Sequence, residues 1–104
     1  MSIATQSRNL VPLNIAILTV SDTRTEDNDT SGQVLVERLT TAGHRLAAKV
    51  IVPDNIYQIR AMVSHWIADP QLNVVITTGG TGVTGRDNTP EAILPLLDKS
   101  LAGF

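Results

Sequence analysis

Residues 14–20 read Asn-Ile-Ala-Ile-Leu-Thr-Val, a short run rich in Ile and apolar at consecutive positions instead of every second one. A strand with that pattern has both faces covered, as strands of parallel sheets do. Similar runs return at 44–52 and 72–78. Between them the spacing turns helical. Thr30, with Gln33 three residues later, predicts a capping box, and Val34, Leu35, Leu39 and Ala42 share one side of the helix that follows. Gly43 stops that helix. Pro53 ends the second strand, and Asn55 with Gln58 repeats the capping pattern. Ile56, Ile59, Met62, Val63, Trp66 and Ile67 then mark one helical face, closed by Asp69-Pro70. Thr89-Pro90-Glu91 predicts an N-cap with proline at the first helical position, and Pro95 limits this third helix to a short or kinked one. The alternation of strand and helix predicts an α/β fold, with a parallel sheet and helices on its faces.

A chain of 104 residues suffices for one small domain. Residues 1–12 are polar and aperiodic, the pattern of a flexible arm, which leaves 13–104 for the domain. Aromatic residues are only 3%, so the core must come from Ile, Val, Leu and Ala. Eight basic side chains against ten acidic ones leave a net charge of −2, which argues against a nucleic-acid partner. Without cysteine, disulfides, thiolate catalysis and zinc–sulfur sites are excluded. The polar N-terminus lacks the apolar core of a secretory signal, and no apolar run reaches the roughly 20 residues of a membrane span. A soluble cytoplasmic protein without membrane partners is expected.

Ligands of open α/β sheets bind outside the carboxyl ends of the strands. The loops there are 21–29, 53–55 and 79–88, and they carry Asp22, Asp54, Gly79-Gly80-Thr81-Gly82 and Asp87. The opposite edge receives only 41–44 and 69–71. The glycines allow positive φ and close approach of backbone to a ligand, and successive N–H groups there can cradle an anion. A tight turn needing glycine for shape alone is the plainer reading, but three glycines in four residues at a strand end favour binding. The motif matches neither the P-loop nor GxGxxG. Asp54 and Asp87 could hold a hydrated magnesium ion, which takes one or two carboxylates plus substrate phosphates. Alternatively, Asp54 belongs to the cap beside Asn55 and Asp87 is a turn residue. Arg24 and Arg86 are candidate phosphate partners or simply solvated. Asp22 either caps its own loop or meets the ligand, and Glu91 suits a helix N-terminus by charge. His44 starts a strand while His65 lies on a helix, so they form no metal pair. Ile59, Met62 and Trp66 are core.

The stretches 16–24 (AILTVSDTR), 29–33 (DTSGQ), 51–55 (IVPDN), 77–82 (TTGGTG) and 86–96 (RDNTPEAILPL) resemble the molybdenum cofactor biosynthesis protein B and molybdopterin adenylyltransferase family. TTGGTG followed by RDxTPEA is the specific combination. The resemblance runs from about Asn14 to Phe104 and implies a three-layer αβα sandwich, with a mostly parallel, molybdopterin-binding-like sheet, usually trimeric. It implies Mg²⁺- and ATP-dependent adenylylation of molybdopterin, with Asp54 and Asp87 as the catalytic and metal-binding acids. Ser21, Asp22, Gly79, Gly80, Thr81, Gly82 and Arg86 would then line the nucleotide and pterin cleft. The wording SDTR…DTSG and IVPDN resembles the protein B branch more closely. The family's domain is longer, continuing past 102–104 with further elements that complete the pocket, so the 104 residues alone are expected to bind nucleotide weakly and not to turn over efficiently. Two other roles in the pathway compete with the enzyme: a non-catalytic carrier of molybdopterin, and a scaffold.

Overall fold

Strand β1 (Asn14–Val20) is hydrogen-bonded on both sides, to β2 (Arg45–Val52) and to β3 (Val74–Gly79), and both pairings are parallel. The structure is a computed structural model and describes residues 11–79 and 88–96. Helix α1 (Thr30–Thr41) joins β1 to β2, and α2 (Ile56–Ile67) joins β2 to β3. After β3 come a short helix α3 (Asn88–Ile93) and a 3₁₀ turn (Leu94–Leu96). The sheet order is β2-β1-β3.

That order explains why β1 is buried at every residue from Ile15 to Val20. It is the interior strand, and its side chains alternate between two separate apolar layers. Ala16, Leu18 and Val20 pack with Ile59, Val63 and Trp66 of α2 and Ala92 of α3. Ile15 and Ile17 pack on the other face with Leu35, Val36 and Leu39 of α1, together with Val74 and Ile76 of β3. The result is the three-layer αβα sandwich, in which α1 is the one helix on its side among the described residues. Ile17, Leu18 and Ile59 are fully buried, each stabilising the fold by about 1.5–3 kcal/mol.

Several local expectations change. Asp29, not Thr30, caps α1: its Oδ1 accepts the Gly32 N–H at 3.1 Å, while Thr30 is already helical. Gln33 does not close a capping box; its side chain donates to the Glu26 carbonyl at 3.2 Å. On α1 the sheet-facing set is Leu35, Val36 and Leu39, whereas Val34 and Ala42 are exposed. Ile67, the last residue of α2, is exposed as well. Helix α3 begins at Asn88, so Thr89 lies inside its first turn and Pro90 is its third residue. Other expectations hold. Asn55 caps α2, accepting from the Tyr57 and Gln58 N–H groups at 2.9 and 3.1 Å. Gly43 follows α1 with φ 96°, and α3 is short before Pro95. β2 begins at Arg45, one residue later than expected, so His44 lies just before it at the opposite edge, its Nδ1 accepting the Leu13 N–H at 3.1 Å, and His65 is exposed.

Candidate functional site

The carboxyl ends of the three strands lie level. Val20 pairs with Val52 on one side and with Gly79 on the other. Leaving β1, the chain moves to the neighbour on one side; leaving β2, it crosses over β1 to the other. The direction of winding therefore reverses between β1 and β3, and such a switch point opens a crevice at the carboxyl edge where ligands of α/β folds bind. The loop after β1 and Gly79 at the end of β3 flank it.

Gly79 is required there by its backbone. Its φ is 85°, and a Cβ at this position would strike the Val20 carbonyl oxygen. For Gly79 the shape reading accounts for the residue. We expect Gly79→Ala to lower unfolding free energy by about 1–3 kcal/mol from the φ strain alone, measured by urea unfolding; an unchanged midpoint would show that the turn can relax. Gly80, Thr81, Gly82, Arg86 and Asp87 lie outside the described residues, as does the expected approach of Asp54 to Asp87.

Ser21 and Asp22 stand at this rim but bind their own chain. The Ser21 N–H donates to the Val52 carbonyl at 2.9 Å, extending the β1–β2 ladder past the strand end. Its hydroxyl oxygen accepts the N–H groups of Thr23 and Arg24 at 3.2 and 3.1 Å, which turns the loop. Arg24, a candidate phosphate partner, donates across the same loop to the Asn28 carbonyl at 2.7 Å. Asp22 Oδ1 accepts the backbone N–H of Asp54 at 2.9 Å. The β1 and β2 loops are thereby tied together, and half-buried Asp54 is fixed beside Asp22 at the rim. Among the described residues no group of three or more His, Asp or Glu could hold a metal ion. Asp29 and Asn55 occupy the N-termini of α1 and α2 with their own side chains, so neither is open to a phosphate.

Sequence reasoning missed a polar cluster behind the rim. Asp29 is 1% exposed. Its Oδ2 accepts from the Thr19 hydroxyl at 2.7 Å and from Lys49 Nζ at 3.0 Å. Lys49 also reaches Glu26 Oε2 at 3.3 Å. Burial by itself pushes the Asp29 carboxyl up, but the bonds from Thr19, Lys49 and Gly32 outweigh it and hold it below the ordinary 3.8. Burial likewise lowers the Lys49 ammonium, yet Asp29 and Glu26 carry it above 10.5. Gly32 makes the room: a Cβ there would overlap the Asp29 carboxylate and stand 2.8 Å from Lys49 Cε. The signal was available. Thr19 and Lys49 are the polar residues in the otherwise apolar interiors of β1 and β2, and Lys49 alternates away from Ala48 and Val50, which pack on the α2 side.

Known proteins resemble this chain in sequence and fold. A family described as "Probable molybdopterin binding domain" matches residues 16–104. Molybdenum cofactor biosynthesis protein B of Escherichia coli (strain K12) is 51% identical over 98 residues, covering 94% of this chain and 58% of the relative. A crystal structure of a molybdenum cofactor biosynthesis protein B superposes with a TM-score of 0.83 at 44% identity, over 89% of this chain and 58% of the other. A tungsten cofactor synthesizing protein from Pyrococcus furiosus superposes with a TM-score of 0.73 at 38% identity, over 88% and 57%. The chain thus spans little more than half the length of these relatives. The match takes in all three strands from Ala16 onward and the rim they form, and on that ground the chain belongs to the molybdopterin binding domain family of molybdenum cofactor biosynthesis proteins.

Proposed function

We propose that this chain carries the substrate-facing rim of a cytoplasmic, trimeric protein that adenylylates molybdopterin. The observation that supports it best is the switch point between β1 and β3, flanked by the 21–29 loop and by Gly79, which opens the sequence Gly79-Gly80-Thr81-Gly82. In the proposed reaction a phosphate oxygen of molybdopterin attacks the α-phosphorus of ATP. The new P–O bond forms as the bond to the β-phosphate oxygen breaks, and diphosphate leaves. Such a transfer is catalysed by positioning and by charge neutralisation.

The residues available fit magnesium in its usual mode, with one or two carboxylates and the rest of the shell from phosphates and water. Asp54 and Asp87 would hold it, and the bound ion would neutralise charge developing on the phosphates. Gly80, Thr81 and Gly82 would bring backbone N–H groups to the nucleotide phosphates, with Arg86 beside them. Ser21 and Asp22 act here mainly by shaping the wall, since their side chains already hold the loop and Asp54 in place.

Incubation with molybdopterin, ATP and magnesium, in a full-length context that includes the elements expected to complete the pocket, tests this reading. Adenylylated molybdopterin and diphosphate are expected, each dependent on both ATP and the metal. Retention of molybdopterin without product under those conditions would establish the non-catalytic carrier instead.

A further inference from the structure

We infer that Lys49 is a positioning residue: from the middle of β2 it anchors the 21–29 loop and so sets the wall of the crevice in which Asp22 and Asp54 meet. Lys49 pairs in register with Ile17 of β1, and its side chain crosses the α1 face of the sheet. Its side chain is only 11% exposed, and both acids it contacts belong to that one loop. Asp29, at the loop's end, is gripped at once by Lys49, Thr19 and the Gly32 N–H. Glu26, at its crest, is 67% exposed and would be held to the sheet only by a reaching cation. Lys49 supplies that cation, and the Glu26 carbonyl takes a further bond from Gln33.

The other end of the loop is fixed at the rim, by Ser21 to Val52 and by Asp22 to Asp54. Between the two ends Asn28 accepts from Arg24 and from the Thr25 N–H. Loss of the Lys49 ammonium therefore releases the Glu26 side chain and leaves Asp29 held by Thr19 and Gly32 alone, loosening one end of a short loop whose other end positions Asp54. The inference also accounts for the Asp-Thr-Ser-Gly segment 29–32: the aspartate is the anchor point, and the glycine is the space into which the Lys49 stem passes. Neither residue needs to touch a ligand.

The inference rests on the rim being the ligand site, and the test separates the two. Lys49→Met keeps an apolar stem of similar length and removes the ammonium. Amides of residues 21–28 are expected to exchange hydrogen roughly tenfold faster, while β1 and β3 amides keep their protection. Molybdopterin affinity should fall with loop protection, and Lys49→Arg should restore part of both. Glu26→Gln, at an exposed position that leaves the Asp29 contact intact, should give a smaller change of the same kind. It decides the matter should Lys49→Met fail to fold. Unchanged loop exchange in the folded variant overturns the anchor. Faster loop exchange with unaltered molybdopterin affinity overturns the positioning role. If the unmutated protein retains no molybdopterin, the functional reading falls, whereas the exchange comparison, which needs no ligand, still decides the anchor.

Discussion

Asp29→Ala is expected to lower the unfolding free energy by about 3–5 kcal/mol, the range for breaking a buried ion pair by removal of one partner. The carboxylate is 1% exposed and satisfies three donors: the Thr19 hydroxyl, Lys49 Nζ and the Gly32 N–H. Alanine leaves a nearly buried ammonium facing only Glu26, and it strips α1 of its N-cap, which alone costs about 1 kcal/mol. Asp29→Asn keeps one oxygen for the cap and puts an amide NH2 where Oδ2 met Thr19 and Lys49, so it retains the cap while removing the charge, and should cost less. The double variant Asp29→Ala/Lys49→Met should cost less than the sum of its parts, because the stranded ammonium is gone. Urea unfolding at constant pH supplies all four values. The pH dependence follows from the direction of each shift. The folded Asp29 pKa lies below 3.8, so its contribution is complete above 3.8 and is lost as pH falls through the folded value. The folded Lys49 pKa lies above 10.5, so its contribution is complete below 10.5 and is lost as pH rises through the folded value. The gap between the parent protein and Asp29→Ala should therefore be flat from about pH 5 to about pH 9 and narrow in stronger acid. A gap below about 1 kcal/mol at neutral pH would show that water or relaxation replaces the carboxylate.

What the sequence made legible was what depends on near neighbours. The bounds of β1 follow from a seven-residue, almost wholly apolar run, and the C-terminal end of α1 and the start of α2 follow from Gly43 and Asn55, because caps act within a turn. The choice between Asp29 and Thr30 as cap was different. Both can accept an N–H, and the tie is broken by Thr19 and Lys49, which lie 10 and 20 residues away from Asp29. Strand order was hidden for the same reason. Alternating strands and helices require parallel pairing but do not say which strand is central, and the switch point between β1 and β3 exists only once that is known. The described rim residues were found by type and placement, yet Ser21 and Asp22 proved to hold loops, Asp22 while still exposed, since short polar side chains at a strand end bond first to the backbone turning beside them.

Asp54→Asn should reduce adenylyl transfer by about 10²-fold or more, the scale on which loss of one transition-state electrostatic partner is felt. The substitution separates charge from structure. Asp54 enters the β1–β2 tie through its backbone N–H, which donates to Asp22, and asparagine keeps that group. Capping of α2 belongs to Asn55, so the helix start is also untouched. Stability should change by about 1 kcal/mol or less, because the backbone tie and the α2 cap are kept although the Asp54 Oδ1 atom is buried. What is removed is a negative charge at the rim beside the switch point. If that charge helps hold magnesium, activity should partly return at higher magnesium concentration. Asp87→Asn should behave alike, and the double variant should be little worse than the worse single one, because two ligands of one ion act as a unit. Steady-state rates across a magnesium titration, beside a melt of each variant, measure all of this. A cooperatively folding Asp54→Asn protein with undiminished transfer would remove Asp54 from the reaction and leave it a loop residue held by Asp22. Fully independent losses in the double variant would instead assign the two acids to separate steps, one at the metal and one at the pterin.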